Sequence, residues 1–488
     1  MKVKRPENEV YLLGIDVGTT AVKSLLYDTH GEIQARASRE YPTMHPKPGW
    51  AEHSPQLWWE LTKETIREIL AKVRSSTKNK IAGIGVSALY PVVLPVDKKG
   101  EPLRPAIIWM DTRGDKLHDP LPKLLWIKQN EPDILRRTHK FLTANGFINY
   151  KLTGQFTVDI TQALGIGQFK MPEFIDTNMF PDVHPFSEVI GEVTAEAAHE
   201  TGLAEGTPVI AGAVDGFSAI VGAGIVKPGR AVEFTGHSLS LSIYTDKPYP
   251  EIQEKGLFAG GGTGFYIVSG YMAAAGGLLR WFRDALGYLE LESAKRLGLD
   301  SYQIMDLEAT KVPPGSDGLI ILPYIAGERC PIWNAKARGV IFGLYLTHSR
   351  AHIIRAILEA VAYGLRHNVE IAEGAGIRID ELRSTGGGSK SDVWLQIKAD
   401  VLNKPIYQVN AEAETLGDAI MAGVGVGVFN DLFSTSDELA KVKKIISPNP
   451  DRHKLYSKLY EIYREIYEPL KGSFDKLAKI RNSDSLEL

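Results

Sequence analysis

Apolar positions near the amino end form two short runs on either side of a polar turn. Residues 12–15 and 22–27 are apolar and strand-length, and the stretch between them begins with Asp16 and contains Gly18. Glycine lets a backbone turn tightly and approach a ligand without a Cβ in the way. The pattern therefore predicts a β-hairpin whose turn carries one acidic side chain.

The same plan occurs again in the second half of the chain. After the hairpin, residues 55–73 have helical periodicity and residues 81–87 read as a strand. Residues 231–244 then form two β-rich runs about a second small polar turn. A repeated plan of this kind predicts two related α/β domains with mixed sheets, facing each other across a cleft. We place them at residues 1–230 and 231–445, followed by a helical tail at 446–488.

Three later segments have helical patterns. Residues 349–372 repeat apolar side chains at helical spacing, and residues 415–427 are rich in small side chains, which favours a helix packed closely on a sheet. Residues 451–468 form an amphipathic stripe, and Pro469 predicts the end of that helix because proline lacks an amide donor. Residues 481–488 are expected to fray.

Composition and charge narrow the possible functions. The chain has 488 residues, 44% hydrophobic and 24% charged, which is ordinary for a globular protein. Its net charge of −3 gives no basic surface for nucleic acid or an acidic membrane. No segment resembles a signal peptide or a membrane span, and the single cysteine, Cys330, fits a reducing compartment. We therefore expect a cytoplasmic protein that binds neither nucleic acid nor membrane.

The first turn carries groups that suit a phosphate and a metal ion. Gly18, Thr19 and Thr20 offer amide and hydroxyl donors, which are the partners that phosphate oxygens need. Asp16 ends the preceding strand, where a carboxylate can hold hydrated magnesium. An ordinary hairpin with an acidic turn is the alternative that this short pattern leaves open.

Two further glycine turns follow strand-like segments. The glycines at 386–388, with Ser389, stand between a strand and a helix, where exposed amides suit a nucleotide. A buried-looking strand over residues 209–214 delivers Asp215 to a glycine turn. Asp215 could cap the helix expected from residue 217, or it could act as a base that deprotonates a substrate hydroxyl.

Taken together, these motifs resemble the FGGY family of carbohydrate kinases, within the actin-like ATPase superfamily. Residues 386–400 nearly match the family signature Gly-Gly-Gly-Ala-x-Ser-x-x-Trp-x-Gln-x-x-Ala-Asp, most closely as in xylulokinases. Residues 48–52, 109–113 and 322–329 match other family motifs. The resemblance runs from about residue 12 to residue 427 and implies two actin-like, ribonuclease H-like domains.

The resemblance also implies roles for individual residues. Magnesium would be bound through water by Asp16, and the base would be Asp215. The substrate would be a small open-chain sugar, with a pentulose such as xylulose as the first candidate, and a homodimer would be the family-like assembly. The remaining implied contacts are Gly18, Thr19, Thr20, Gly236 and Ser238 for the phosphates of ATP, Gly386, Gly387, Gly388 and Ser389 for its adenosine, and Tyr90, Trp109, Asp111 and Asp215 for the sugar.

Three departures from the family pattern matter, and the last of them bears on the substrate. The second phosphate turn has His237 where many members have threonine, and residues 414–419 include Asp418 where alanine is usual. At the positions where xylulokinases and glycerol kinases place polar sugar contacts, this chain has Tyr90 and Pro91. A buried sugar hydroxyl left without its partner there would cost about 1–3 kcal/mol.

These departures leave alternatives open. Ribulose, gluconate and glycerol remain alternative acceptors, although no cation for the carboxylate of gluconate can be placed from the sequence. A non-catalytic ATP-binding protein on the same fold is a further alternative. The presence of both Asp16 and Asp215 argues against it, because a sensor has no need of a base.

Overall fold

The computed structural model describes residues 9–113, 120–167, 176–262 and 265–483. The chain divides into two compact units. Unit 1 comprises the chain up to Gly224 together with Glu412–Ala440, and unit 2 comprises Ile225–Ala411 and the chain from Lys441 onwards. These bounds differ from the predicted division, because residues 412–440 pack with the first unit and the carboxyl-terminal helix packs with the second.

The strands and helices of the described residues are numbered along the chain. The strands are β1 Tyr11–Val17, β2 Ala21–Asp28, β3 Ile33–Glu40, β4 Glu52–His53, β5 Ile81–Ala88, β6 Leu94–Val96, β7 Ala106–Ile107, β8 Lys140–Leu142, β9 Thr157–Asp159, β10 Asp182–His184, β11 Val189–Glu192, β12 Pro208–Ile210, β13 Ala213–Val214, β14 Arg230–Thr235, β15 Leu239–Thr245, β16 Phe258–Gly262, β17 Phe265–Met272, β18 Ile320–Leu322, β19 Val340–Phe342, β20 Glu381–Thr385, β21 Ile406–Gln408 and β22 Lys444–Ile446. The helices are α1 Pro55–Ala71, α2 Pro120–Asn130, α3 Pro132–Arg137, α4 Ala144–Thr153, α5 Ile160–Gly167, α6 Ala195–Thr201, α7 Asp215–Gly222, α8 Gly276–Ala285, α9 Tyr288–Leu297, α10 Ser301–Thr310, α11 Arg350–Gly374, α12 Asp392–Leu402, α13 Ala413–Gly425, α14 Leu432–Leu439 and α15 Pro450–Ser483.

Each unit is built on a seven-stranded mixed sheet, which confirms the predicted fold class of two mixed α/β domains. In unit 1 the strand order is β11-β12-β5-β1-β2-β3, and β13 also pairs with β5. In unit 2 the order is β16-β17-β15-β14-β20-β21-β22. The predicted hairpin is confirmed as the antiparallel pair β1 and β2, and the second β-rich segment as the antiparallel pair β14 and β15.

Helix α13 packs on the sheet of unit 1 through glycine, as the small side chains of residues 415–427 predicted. A Cβ built on Gly14 of β1 would lie 2.0 Å from the carbonyl oxygen of Thr415, and one on Gly85 of β5 would lie 2.4 Å from that of Asp418. Gly222 of α7 meets α13 in the same way, at 1.8 Å. Any larger residue would push these elements apart, so the glycines allow α13 to pack directly on β1, β5 and α7.

The prediction that Pro469 ends the last helix is wrong. Helix α15 continues through Pro469 to Ser483. A proline inside a helix costs about 3 kcal/mol because it removes a hydrogen bond and crowds the preceding turn. However, Tyr463 and Tyr467 before it and Phe474 after it are all buried in the core of unit 2. Burying each large apolar side chain contributes about 1.5–3 kcal/mol, which offsets the cost of the proline.

None of the helices in the described parts of the chain is both long enough and apolar enough to span a bilayer.

Candidate active site

Three parallel strands of unit 1 end at the same edge of its sheet. Strand β5 pairs with β1 so that Ser87 lies opposite Asp16, and it pairs with β13 so that the same serine lies opposite Ala213. Since neighbouring strands are about 4.8 Å apart, the ends of β1 and β13 lie roughly 10 Å apart on either side of Ser87. Asp215 follows β13 as the first residue of α7. The predicted metal ligand and the predicted base therefore lie at one edge of one sheet.

The two oxygens of Asp16 have different surroundings. The side chain is 2% exposed. Its Oδ2 lies 3.2 Å from Lys23 Nζ, whereas its Oδ1 is buried with no hydrogen-bond partner among the described residues. Burial raises the pKa of Asp16, against the opposing effect of Lys23. A buried carboxylate oxygen without a partner is costly, so Oδ1 is the atom through which Asp16 could hold a hydrated cation.

Lys23 is a site residue that the sequence analysis missed. It lies directly opposite Asp16 in the hairpin, and its ammonium is also 3.1 Å from Glu414 Oε1. Burial alone would lower the pKa of Lys23, but Glu414 and Asp16 hold it well above its ordinary value. Burial raises the pKa of Glu414 to about 7. Lys23 could have been found from the predicted hairpin, because pairing the two strands places Lys23 across from Asp16.

The turn between β1 and β2 contacts Trp109, one of the predicted sugar contacts. The amide of Gly18 donates to the carbonyl of Ala21 at 3.0 Å, and the indole nitrogen of Trp109 donates to Thr19 Oγ1 at 3.0 Å. Among the described residues, the amides of Thr19 and Thr20 have no acceptor. The structure thus brings Trp109 to the predicted phosphate turn, which still offers two amide donors to an oxyanion.

Asp215 is half-buried and forms no ion pair with any described residue. Its Oδ1 accepts a hydrogen bond from the amide of Gly216 at 2.6 Å. Helix α7 begins at Asp215 with Val214 at the N-cap position, so the capping role weighed from the sequence is not the one observed. Burial, together with the smaller effect of the charge of Asp16, raises the pKa of Asp215 to about 7. A half-buried carboxylate with such a pKa and no ion pair among the described residues suits general base chemistry.

Tyr90 and Asp111, the other two predicted sugar contacts, differ in how deeply they are buried. Tyr90 is half-buried, two residues after the end of β5. Asp111 is fully buried, and its oxygens accept hydrogen bonds from the Ala51 amide at 2.6 Å and from the Arg113 guanidinium at 2.7 and 2.9 Å. Because protein donors engage both oxygens, this arrangement favours a structural role for Asp111 as the anchor of Arg113.

In unit 2 the turn between β14 and β15 rests on the start of α8. Gly236 closes the turn by donating to the carbonyl of Ser238 at 3.0 Å. The amides of Gly276 and Gly277 donate to the carbonyls of Gly236 and His237 at 3.0 and 2.8 Å. A Cβ on Gly277 would lie 2.7 Å from the His237 ring, so any larger residue there would displace that ring. Burial lowers the pKa of His237 to about 4, so the ring is neutral near pH 7.

The glycine-rich loop after β20 lies against the end of β14. Gly386 has a φ of +79°, and a Cβ there would lie 2.7 Å from the carbonyl oxygen of Thr235. A Cβ on Gly388 would lie 2.6 Å from the side chain of the same threonine, whereas Gly387 is exposed. Ser389 donates within the loop, from its hydroxyl to the Gly386 carbonyl at 2.8 Å. Unit 2 therefore brings its two predicted nucleotide-binding segments together.

A buried ion pair contacts Thr235, the residue against which both segments pack. Glu233 and Lys398 are both fully buried, with Oε1 and Nζ 2.6 Å apart. Thr235 donates to Glu233 Oε2 at 2.5 Å and accepts from Lys398 at 2.9 Å, while Ser384 donates to Glu233 Oε1. The sequence analysis missed this pair. A glutamate in strand β14 and a lysine in the signature helix are far apart in the chain, and no local pattern links them.

Family models match both units. Residues 11–121 and 116–222 match the N-terminal domain of the FGGY family of carbohydrate kinases, and residues 240–426 match its C-terminal domain. The chain belongs to this family. The predicted family and the predicted enzyme class, a carbohydrate kinase, are confirmed.

Similar proteins of this family are named for different substrates. The chain is 31% identical to a xylulose kinase from Staphylococcus epidermidis, over 96% of this chain and 99% of that one. The structure of a gluconate kinase from Lactobacillus acidophilus matches with a TM-score of 0.81 at 27% identity, covering 96% and 100% of the two chains. That of a xylulose kinase from Rhodospirillum rubrum matches with a TM-score of 0.76 at 30% identity, covering 95% and 100%.

Proposed function

We propose that this FGGY kinase transfers the γ-phosphoryl group of ATP to a hydroxyl of a small open-chain sugar, with a pentulose such as xylulose as the first candidate. The observation that carries the proposal is Asp215, a carboxylate at the same sheet edge as Asp16 that has no ion pair among the described residues and a pKa of about 7. The similarity to proteins named xylulose kinase supports the choice of acceptor.

Each candidate site residue of unit 1 has a proposed role in the reaction. Asp215 accepts the proton of the acceptor hydroxyl as that oxygen attacks phosphorus. The amides of Thr19 and Thr20 bind phosphate oxygens, and Lys23 adds positive charge close to them. Magnesium, when bound with ATP, neutralises charge on the phosphates, and the unpaired Oδ1 of Asp16 fits a water ligand of that ion.

The residues of unit 2 would bind the nucleotide through backbone groups. Gly236 and Ser238 are the proposed phosphate contacts, and Gly386, Gly387 and Gly388 the proposed adenosine contacts. The close approaches around Thr235 support this assignment, because the glycines keep backbone amides accessible where a side chain would not fit.

The charges around the base favour a neutral acceptor over an aldonate. Asp16, Glu414 and Asp215 lie near one another, and their electrostatic influence on one another raises the pKa of Asp215. Lys23 already contacts two of these carboxylates. A substrate carboxylate placed here would meet net negative charge, which is unfavourable by Coulomb's law. Gluconate is nevertheless the second candidate, because the gluconate kinase from Lactobacillus acidophilus has a closely similar fold.

A substrate panel tests the proposal. Purified protein with magnesium and ATP is assayed for ADP release with xylulose, ribulose, gluconate, glycerol and related alditols. We expect turnover to be fastest on a ketopentose and at least tenfold slower in kcat/KM on gluconate. The reference is ATP hydrolysis without an acceptor, which should be much slower. If folded protein binds ATP but phosphorylates no member of the panel, the non-catalytic alternative replaces this proposal.

The pH dependence of the rate follows from the raised pKa of Asp215. A general base works only when ionised, so kcat/KM should rise tenfold per pH unit below about pH 7 and level off above it. The measurement is kcat/KM of the best substrate from pH 5 to 9, with circular dichroism at each pH to show that the protein stays folded. An acid limb with its midpoint near pH 4 would place the base in an ordinary solvated environment and contradict the assignment.

A further inference from the structure

Asp418 is the acidic residue that replaces the alanine usual in the family, and it lies in the centre of unit 1. It is fully buried on α13. Its Oδ2 accepts a hydrogen bond from Ser87 Oγ at 2.8 Å, and its Oδ1 accepts one from Ser218 Oγ at 2.7 Å. Burial raises its pKa well above the ordinary range, against the opposing effect of the two serines. Asp418 thus links three elements, α13, β5 and α7, through a single carboxyl group.

Each serine is close in sequence to a part of the candidate site. Ser87 is the strand residue that lies between Asp16 and Ala213 in the sheet. It also begins the segment that leads to Tyr90, one of the two positions expected to contact the sugar that depart from the family pattern. Ser218 is one turn along α7 from Asp215. A bond that fixes Ser218 therefore fixes the helix that carries the base.

The backbones around Asp418 leave little room for adjustment. The carbonyl oxygen of Asp418 would lie 2.4 Å from a Cβ on Gly85, and that of Ser218 would lie 1.9 Å from a Cβ on Gly417. Glycine contacts set how closely these elements approach, but they have no interlocking side chains to set the position of one element along another. The two hydrogen bonds of Asp418 supply a fixed point that the glycines do not.

We propose that Asp418 is a positioning residue of this kinase: through Ser87 and Ser218 it sets the position of Asp215 relative to Asp16 and to the segment carrying Tyr90. This inference rests on the proposed function, since it concerns the base of that reaction. Asp418 itself contacts neither substrate nor phosphate in this account. It acts by holding β5 and α7 in register.

The first test compares kinetic constants. Asp418→Ala restores the family's usual residue but leaves both serine hydroxyls without their acceptor, and it should lower kcat 10- to 100-fold while changing the Kd for ATP less than threefold. Asp418→Asn keeps a carbonyl acceptor and a similar shape, and it should recover at least a third of the wild-type kcat. If Asp418→Ala retains kcat within twofold of the wild type, the proposal is overturned.

A matched control separates positioning from loss of stability. Thr62 is a buried hydroxyl of unit 1 whose Oγ1 donates to the Trp58 carbonyl at 2.7 Å in α1, away from the strand edge. Thr62→Val should lower the melting temperature and leave kcat unchanged. A double-mutant cycle of Asp418→Ala with Ser218→Ala should be strongly non-additive in kcat, because both changes break the same contact. Additive losses would contradict the proposed link to α7.

A structural readout keeps the inference separate from the choice of substrate. Crystal structures of the wild type and of Asp418→Ala, both without ligand, should differ in the separation of the Asp16 and Asp215 carboxylates, with α7 displaced relative to β5. An unchanged separation overturns the positioning role even if the variant is inactive. Displacement of α7 in a protein that phosphorylates no acceptor supports the role of Asp418 and counts against the proposed function alone.

Discussion

Replacing Asp215 with asparagine should lower kcat about 10²- to 10⁴-fold, the range that a general base contributes. The amide has nearly the shape of the carboxylate and can still accept the hydrogen bond from Gly216, but it cannot take up the proton of the acceptor hydroxyl. The proposed nucleotide contacts of Thr19, Thr20 and Lys23 remain in place. The Kd for ATP, measured by isothermal titration calorimetry, should therefore change less than threefold.

Asp182→Asn provides the matched control for this variant. Asp182 is exposed on β10 of the same unit and is no part of the candidate site. Its replacement makes the same chemical change and should leave kcat unchanged. If Asp215→Asn keeps more than a tenth of the wild-type kcat, Asp215 is not the base, and Glu414 becomes the first carboxylate to examine.

Replacing Lys398 with methionine should destabilise unit 2 by about 3–5 kcal/mol, because it leaves the carboxylate of Glu233 buried without its cation. Both side chains are fully buried, and Thr235, next to the phosphate turn, bonds to both. The change should appear as a lower midpoint of urea unfolding for the transition that includes unit 2. ATP affinity should fall as well, because Thr235 precedes Gly236 directly.

Two comparisons make the Lys398 prediction specific. Lys336→Met removes an exposed pair with Asp475, which should cost about 1 kcal/mol or less. The double variant Glu233→Gln, Lys398→Met also removes the unpaired carboxylate of residue 233, so it should recover part of the lost stability. A Lys398→Met protein as stable as the Lys336→Met protein would show that the buried pair contributes little to unit 2.

The parts of the fold that follow from local sequence could be predicted, and the parts set by distant packing could not. Two apolar runs on either side of a polar turn identified β1 and β2, and small side chains identified the close packing of α13. The continuation of α15 through Pro469 could not be predicted, because it depends on burial of Tyr467 and Phe474 against segments far away in the chain. For the same reason, the packing of residues 412–440 with the first compact unit could not be predicted from local sequence.

The candidate site shows the same limit. Motifs with short spacing identified Asp16, Asp215 and the glycine turns, and the structure places the first two at one sheet edge. Residues that act in pairs across the chain were missed: Lys23 with Glu414, and Glu233 with Lys398. Such pairs depend on which elements become neighbours, and sequence spacing does not report that. The hairpin partner of Asp16 is the exception, because hairpin register is local.

In the proposed reaction, the carboxylate of Asp215 takes the proton from the acceptor alcohol. The most direct measurement is a crystal structure of the wild-type protein with magnesium, a non-hydrolysable ATP analogue and the best substrate of the panel. We expect an acceptor hydroxyl oxygen within about 2.6–3.2 Å of an Asp215 carboxylate oxygen. An acceptor hydroxyl in contact with Glu414 or with solvent, and out of hydrogen-bond reach of Asp215, would contradict it.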